Sequence, residues 1–120
     1  MLRAYRDTAY RVDGIAVRIG RRCPDALFDR LNAGVAVLLT AWNPRSRRMP
    51  DGWNRRMQQA LRRRLRRFVV LEAVGALQCW REEMLLVAGD PRPGIRLAGR
   101  FRQRAVVILR RGQKARLRPV

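Results

Sequence analysis

The chain has 120 residues, 28 of them Lys or Arg and nine Asp or Glu, for a net charge of +19. It contains no histidine, which excludes Ser-His-Asp and Cys-His catalysis, His-ligated zinc and imidazole acid–base chemistry. At 48% hydrophobic residues it has material for a packed core, so a disordered polycation is excluded and the length suits a single domain, 1–120.

Along the chain, Leu2–Thr8 has room for one or two helical turns. Tyr10–Ile19 reads as one strand, with Ile15, Val17 and Ile19 alternating with smaller or polar residues. Pro24 suits the first turn of a helix over Pro24–Asn32, because its missing N–H has no partner there anyway. Val35–Trp42 is apolar almost throughout, as a strand covered on both faces is, and is placed centrally in the sheet. Asn43–Pro50 is a loop, and Asn43, preceding Pro44, is expected in extended geometry.

Asp51 is the expected N-cap of a helix over Gly52–Arg67. At 100° per residue Trp53, Met57, Leu61, Leu65 and Phe68 form its apolar stripe, with Arg55, Arg62 and Arg66 opposite and Arg56, Arg63 and Arg67 on a flank. Asn54 and Arg64 fall on the apolar side. Arg64 can snorkel outward, whereas a buried Asn54 must find hydrogen-bond partners. Phe68–Val74 and Glu83–Ala88 read as strands about a turn near Gly75. A helix over Gly94–Arg102, a strand over Ala105–Leu109, a turn at Arg111-Gly112 and an edge strand over Lys114–Leu117 complete the chain. The expected fold class is α+β: a mixed sheet of five or six strands with three or four helices packed on it.

Of the basic residues 27 are arginine and only Lys114 is lysine. A GC-rich genome replaces Lys by Arg through codon bias, but bias does not explain the scarcity of acids. Such a charge attracts polyanions, with nucleic acid the first expectation. Cys23 and Cys79 form no CxxC pair and read as reduced thiols. Cys23 beside Arg21 and Arg22 is expected to have a lowered pKa, and Cys79, near Glu82 and Glu83, a raised one. No run reaches the ~20 apolar residues of a membrane-spanning helix, and the first residues lack the apolar stretch of a secretory signal. A cytoplasmic bacterial protein is expected.

Leu39-Thr40-Ala41-Trp42-Asn43-Pro44 with Ser46, then Asn54 at a helix start, then Trp80…Glu83 before an apolar strand, then Gly99-Arg100-Phe101…Gln103…Ala105, stand in one order. Together they resemble the bacterial family called domain of unknown function 3293, whose pattern is T-A-x-N-P, a later Asn, W-x-E-x-S and G-R-x-F-G-Q-N-A. The resemblance runs from about Tyr5 to Leu109. It implies a shared fold and brings no established activity. Met84 stands where the pattern has Ser, Arg102 where it has Gly, and Arg104 where it has Asn.

Two constellations follow. Arg55, Arg56, Arg62, Arg63, Arg66 and Arg67, extended by Arg45, Arg47 and Arg48, form a face whose guanidinium forks suit phosphate, and the first functional reading is a polyanion-binding module, RNA favoured. No motif for base-specific readout accompanies it. The second is a small-ligand pocket of Thr40, Asn43, Asn54, Glu83, Arg100 and Gln103 at a strand end beside a helix start. Its competing reading is that Asn43 and Asn54 bond each other and pin the loop. Glu83 is the one weak catalytic candidate, as a general base whose pKa burial raises. No metal or cofactor is expected, and the residue inventory leans away from an enzyme. Trp42, Trp53 and Phe68 read as core, and Trp80 as an exposed platform.

Overall fold

A computed structural model describes residues 2–120. Four helices, α1 (Leu2–Asp7), α2 (Asp25–Leu31), α3 (Asp51–Arg64) and α4 (Arg92–Arg100), accompany seven strands. The strands are β1 (Ala9–Val12), β2 (Ile15–Val17), β3 (Val35–Leu39), β4 (Val70–Leu77), β5 (Trp80–Ala88), β6 (Ala105–Arg110) and β7 (Arg116–Pro119). They form one sheet in the order β2-β1-β4-β5-β3-β6-β7.

The class is α+β, as expected, but the sheet is antiparallel rather than mixed: every strand pair is antiparallel. The one parallel contact among the described residues is an isolated bridge between Ile19 and Ala115. That bridge joins the chain just after β2 to the chain just before β7, the two edge strands, so the sheet curls on itself. Hydrogen bonds from Gly20 N to Ala115 O (2.8 Å) and from Cys23 N to Gln113 O (2.9 Å) hold the seam. The strand count exceeds the expected six because Tyr10–Ile19 is a hairpin. Asp13 and Gly14 both take positive φ (50° and 76°), the geometry of a tight two-residue turn that an Asp-Gly pair favours.

The sheet has a helix layer on each face. One core joins Val12, Val17, Leu27, Phe28, Leu31, Leu38, Leu86 and Leu109, so α2 seals this face. The other joins Val37, Leu39, Leu61, Leu65, Leu85, Val87, Ala98 and Ile108 beneath α3 and α4. Strand β3 lies between β5 and β6 and serves both cores, the reason its sequence is apolar without alternation. Cys23 is buried, and burial raises its thiol pKa, the reverse of the effect expected from the neighbouring arginines.

Helix α3 differs from its expected outline at both ends. Pro50, not Asp51, occupies the N-cap, with no side-chain cap. The helix stops at Arg64, so Arg66 and Arg67 follow it and Phe68 is 38% exposed. The buried stripe is Asn54, Gln58, Leu61 and Leu65, rotated from the expected one so that two polar side chains point inward.

Gly94 marks the closest approach of α4 to β3. A Cβ there would lie 2.7 Å from Val37 Cγ1, too close without moving helix or strand. Gly94→Ala should therefore cost about 1–3 kcal/mol through overpacking, despite alanine's better helix propensity. Urea denaturation of the variant checks this, and an unchanged midpoint contradicts it.

Candidate functional site

The site begins with a missing side chain. Tyr10, Gly75 and Glu82 face one another across β1, β4 and β5. Directly paired residues project to one face of a sheet, here the α2 side, so Gly75 leaves a gap between a phenol and a carboxylate. The gap is tight at its base, where a Cβ on Gly75 would lie 3.0 Å from Met84 Sδ and 3.3 Å from the Tyr10 ring. Above it opens a cavity of about 360 Å³ lined by residues that include Tyr5, Tyr10, Thr40, Asn43, Ser46, Gly75, Trp80, Glu82, Met84 and Gln103. Helix α1 supplies Ala4 and Tyr5, the loop after β3 supplies Asn43 and Ser46, and the β4–β5 hairpin supplies the floor.

The loop carrying Asn43 has an unusual backbone. Asn43, Arg45 and Ser46 have φ of 46°, 53° and 60°, so Asn43 is left-handed rather than extended. Asparagine tolerates this region better than most residues, while other L-residues pay about 1–2 kcal/mol each. Asn54 holds the loop in place. Its Oδ1 accepts the Asn43 N–H (2.9 Å), and its Nδ2 donates to Asn43 Oδ1 (2.8 Å) and Met49 O (3.1 Å). Asn43 Oδ1 also accepts the Met49 N–H (2.9 Å). Further support comes from Arg45 N to Arg102 O (2.7 Å), Gln103 Nε2 to Trp42 O (3.2 Å) and Arg104 Nε to Arg45 O (3.1 Å). The Thr40 hydroxyl donates to Glu83 O (2.6 Å) and accepts the Trp42 N–H (3.0 Å).

With Asn54 committed to the loop, Asn43 Nδ2 turns the other way and donates to Glu82 Oε1 at 3.3 Å. Trp80 Nε1 donates to the same oxygen at 3.2 Å. Burial pushes the Glu82 carboxyl above the ordinary glutamate range, and these two hydrogen bonds only partly offset it. Burial also raises both tyrosines. Tyr5 is eased downward by its hydrogen bond to Ser46, and at Tyr10 the neighbouring Tyr5 adds to the effect of burial. The cavity thus combines apolar walls with hydroxyl and amide groups and one carboxyl whose pKa burial raises.

The folded protein keeps a proton on Glu82 to higher pH than the unfolded chain does. Stability should therefore fall as pH rises from the ordinary glutamate range through the raised folded-state value. Glu82→Gln lacks this titration, so its stability relative to wild type should climb over the same window. Denaturation at a series of pH values measures the difference, and a pH-independent difference contradicts the assignment.

The structure brings Thr40, Asn43 and Gln103 to the cavity and places Asn54 behind it. It does not bring Glu83 or Arg100. Arg100 is exposed at the end of α4. Glu83 lies on the opposite face of β5, in a broad groove of about 670 Å³ with Arg11, Arg55, Arg62, Arg81 and Glu72. The acid in the cavity is Glu82, one residue away, because successive strand residues face opposite sides. The spacing W-x-E, applied to Trp80, names Glu82. Tyr5 and Tyr10 are also absent from the residues expected from sequence, and so is Gln58. It is 8% exposed, its Oε1 accepts the Ala41 N–H (2.8 Å), and its Nε2 has no partner among the described residues. Its position four residues after Asn54 on the buried stripe is the signal that could have found it.

Arg55, Arg56, Arg62 and Arg63 on α3, and Arg66 and Arg67 just after it, all lie exposed. Arg55 and Arg62 border the groove, and Arg62 pairs with Glu72 at 2.6 Å. Trp80 is 37% exposed at the cavity rim, with Arg48 stacked 5.9 Å from its ring centre.

An antiparallel α+β domain whose motif residues gather around one cavity is the class this fold and site define. The chain belongs to the family described as protein of unknown function (DUF3293), whose model matches residues 39–106. No curated protein and no solved structure matches the chain significantly. The matched segment holds the loop, α3, the β4–β5 hairpin and α4, while Tyr5 and Tyr10 lie outside it. Of the three departures from the family pattern one lines the cavity, and two contact the 43–46 loop from outside it. Met84 floors the cavity. Arg102 has φ of 59°, a conformation that glycine adopts without strain, and Arg104 buttresses the loop.

Proposed function

We propose that this protein binds a small molecule in the cavity between Tyr10, Asn43 and Glu82. The observation that carries the reading is convergence. Thr40, Asn43 and Ser46, then Trp80 and Glu82, then Gln103 come from three separated stretches of the family pattern and line one cavity. A loop pinned only for stability has no need of Trp80 and Glu82 on its far side. Apolar walls with a few converging polar groups are the usual make-up of a ligand site. The test is a paired substitution scored against a metabolite panel by thermal shift. Glu82→Gln should remove the shift given by a binding compound, and Glu83→Gln, on the opposite face, should leave it. Equal loss in both contradicts the reading.

The exposed arginines support a second reading, binding of polyanions and RNA first among them. Arg56, Arg63, Arg66 and Arg67 carry no acidic partner among the described residues, so their charge is available to phosphate. Replacing Arg62, Arg63, Arg66 and Arg67 with Gln should weaken RNA binding. It should also flatten the slope of log K against log salt by about 0.7–0.9 for each phosphate that the variant no longer neutralises. An unchanged slope at physiological salt removes this reading.

A further inference from the structure

The charge around the cavity is the opposite of the charge on the protein. The chain carries 28 Lys and Arg, yet none is among the described residues lining the cavity, where Glu82 is the one acidic side chain. Asp13, Asp25, Asp29, Glu72 and Asp90 each meet an arginine. Among the described residues, Glu82 meets only two neutral donors, Asn43 Nδ2 and Trp80 Nε1. A largely buried carboxylate without a counter-charge is costly, and an incoming cation relieves that cost. Tyr5, Tyr10 and Trp80 add aromatic rings to the lining, and the Trp80 ring already holds the Arg48 guanidinium 5.9 Å from its centre. Met84, Leu77, Gly75 and Ala105 supply the apolar remainder.

Resting on the cavity reading above, we infer that the ligand is a small primary amine with a compact apolar or aromatic body, its ammonium group bonded to Glu82. The titratable groups facing Glu82 are Tyr5 on α1, Tyr10 on β1 and Cys79 at the hairpin turn, with Arg48 beyond Trp80 and Arg104 beyond Tyr5. The phenols stay neutral near neutral pH. An ammonium beside Glu82 favours the ionised carboxylate and opposes the upward shift that burial imposes on it. The field of the whole protein opposes this choice, because +19 attracts anions and repels amines. A preference for amines would therefore belong to the cavity and not to the net charge.

Cys79 allows a direct test, because it is exposed, lines the cavity mouth and is accompanied only by the buried Cys23. Three arylalkyl disulfides, identical except for a terminal aminomethyl, hydroxymethyl or carboxylate group, are equilibrated with the protein and a reducing thiol. Capture at Cys79 is read by mass spectrometry, with a peptide of residues 77–81 as reference. The amine should be captured about tenfold over the alcohol and the acid, as a charge-assisted bond implies. The peptide should show no such order, and Glu82→Gln should erase it. Capture of the alcohol or the acid as well as the amine overturns the amine assignment and leaves the cavity reading standing. Capture of all three as in the peptide overturns both. An amine preference that survives Glu82→Gln overturns the role of Glu82, and the wild-type ranking decides the ligand class whether or not that variant folds.

Discussion

Replacing Asn54 with alanine should lower stability by about 3–5 kcal/mol, a large loss for a single polar side chain. Asn54 is 1% exposed, and its amide makes three hydrogen bonds to the 43–49 segment. Alanine leaves the buried Asn43 N–H without an acceptor and frees Met49 O and Asn43 Oδ1 from a donor. An orphaned buried donor costs ~1–3 kcal/mol and each missing bond about 1 more. The loop stores left-handed backbone at Arg45 and Ser46, which favours its release once the pin is gone. Asn54→Asp keeps an acceptor for the Asn43 N–H but sets a buried carboxylate oxygen against two acceptors, Asn43 Oδ1 and Met49 O, so it should destabilise at least as much as alanine. Urea denaturation of the three proteins gives the order, and a loss below about 1 kcal/mol for the alanine variant contradicts the pin.

The second large effect is expected at Gly75. Valine there would fill the gap between Tyr10 and Glu82 and crowd Met84 Sδ, the flexible end of its side chain. The stability cost should stay within about 1–3 kcal/mol, because Met84 can move and valine favours strand geometry. Binding in the cavity should fall by more than about a hundredfold, since the body of any ligand loses its seat. Gly75→Ala intrudes less and should give an intermediate loss. Amine capture at Cys79, measured beside thermal unfolding, separates lost space from lost fold. Undiminished capture in a folded Gly75→Val protein would place the ligand elsewhere.

The sequence is most readable where periodicity and burial agree. Val35–Trp42 reads as a central strand because it is apolar almost throughout, and the structure forms that strand over Val35–Leu39; the Arg-rich helix appears because its apolar and basic residues separate on the wheel. Sequence reading fails where a single residue decides geometry. Asp13-Gly14 turns the chain in the middle of an alternating run, so one expected strand is two. Gly75 reads as a turn, whereas it lies inside β4 and matters for the side chain it lacks. Glu82 and Glu83 cannot be told apart by alternation, because Met84–Val87 are buried on both faces of β5. Only the spacing from Trp80 distinguishes them. Asn54 is legible as a polar residue needing partners, and the structure supplies them in the preceding loop. Its bonds satisfy the structural reading of the asparagine pair, and Asn43 Nδ2 extends that pair toward the cavity. No property of a single sequence announces such a dual use, because it depends on which way one amide faces after the loop has closed.

The central claim is that the motif-lined cavity, rather than the arginine face, is the ligand site. Amide NMR of the wild-type protein decides this most directly, titrated in turn with a small-amine library and with short RNA at physiological salt. Some amines should shift the side-chain amides of Asn43 and Gln103 and the indole N–H of Trp80, and Gly75→Val should abolish those shifts. Silence at these three groups, with RNA moving the resonances of Arg55–Arg67, would contradict the claim and make the basic surface the working face of the protein.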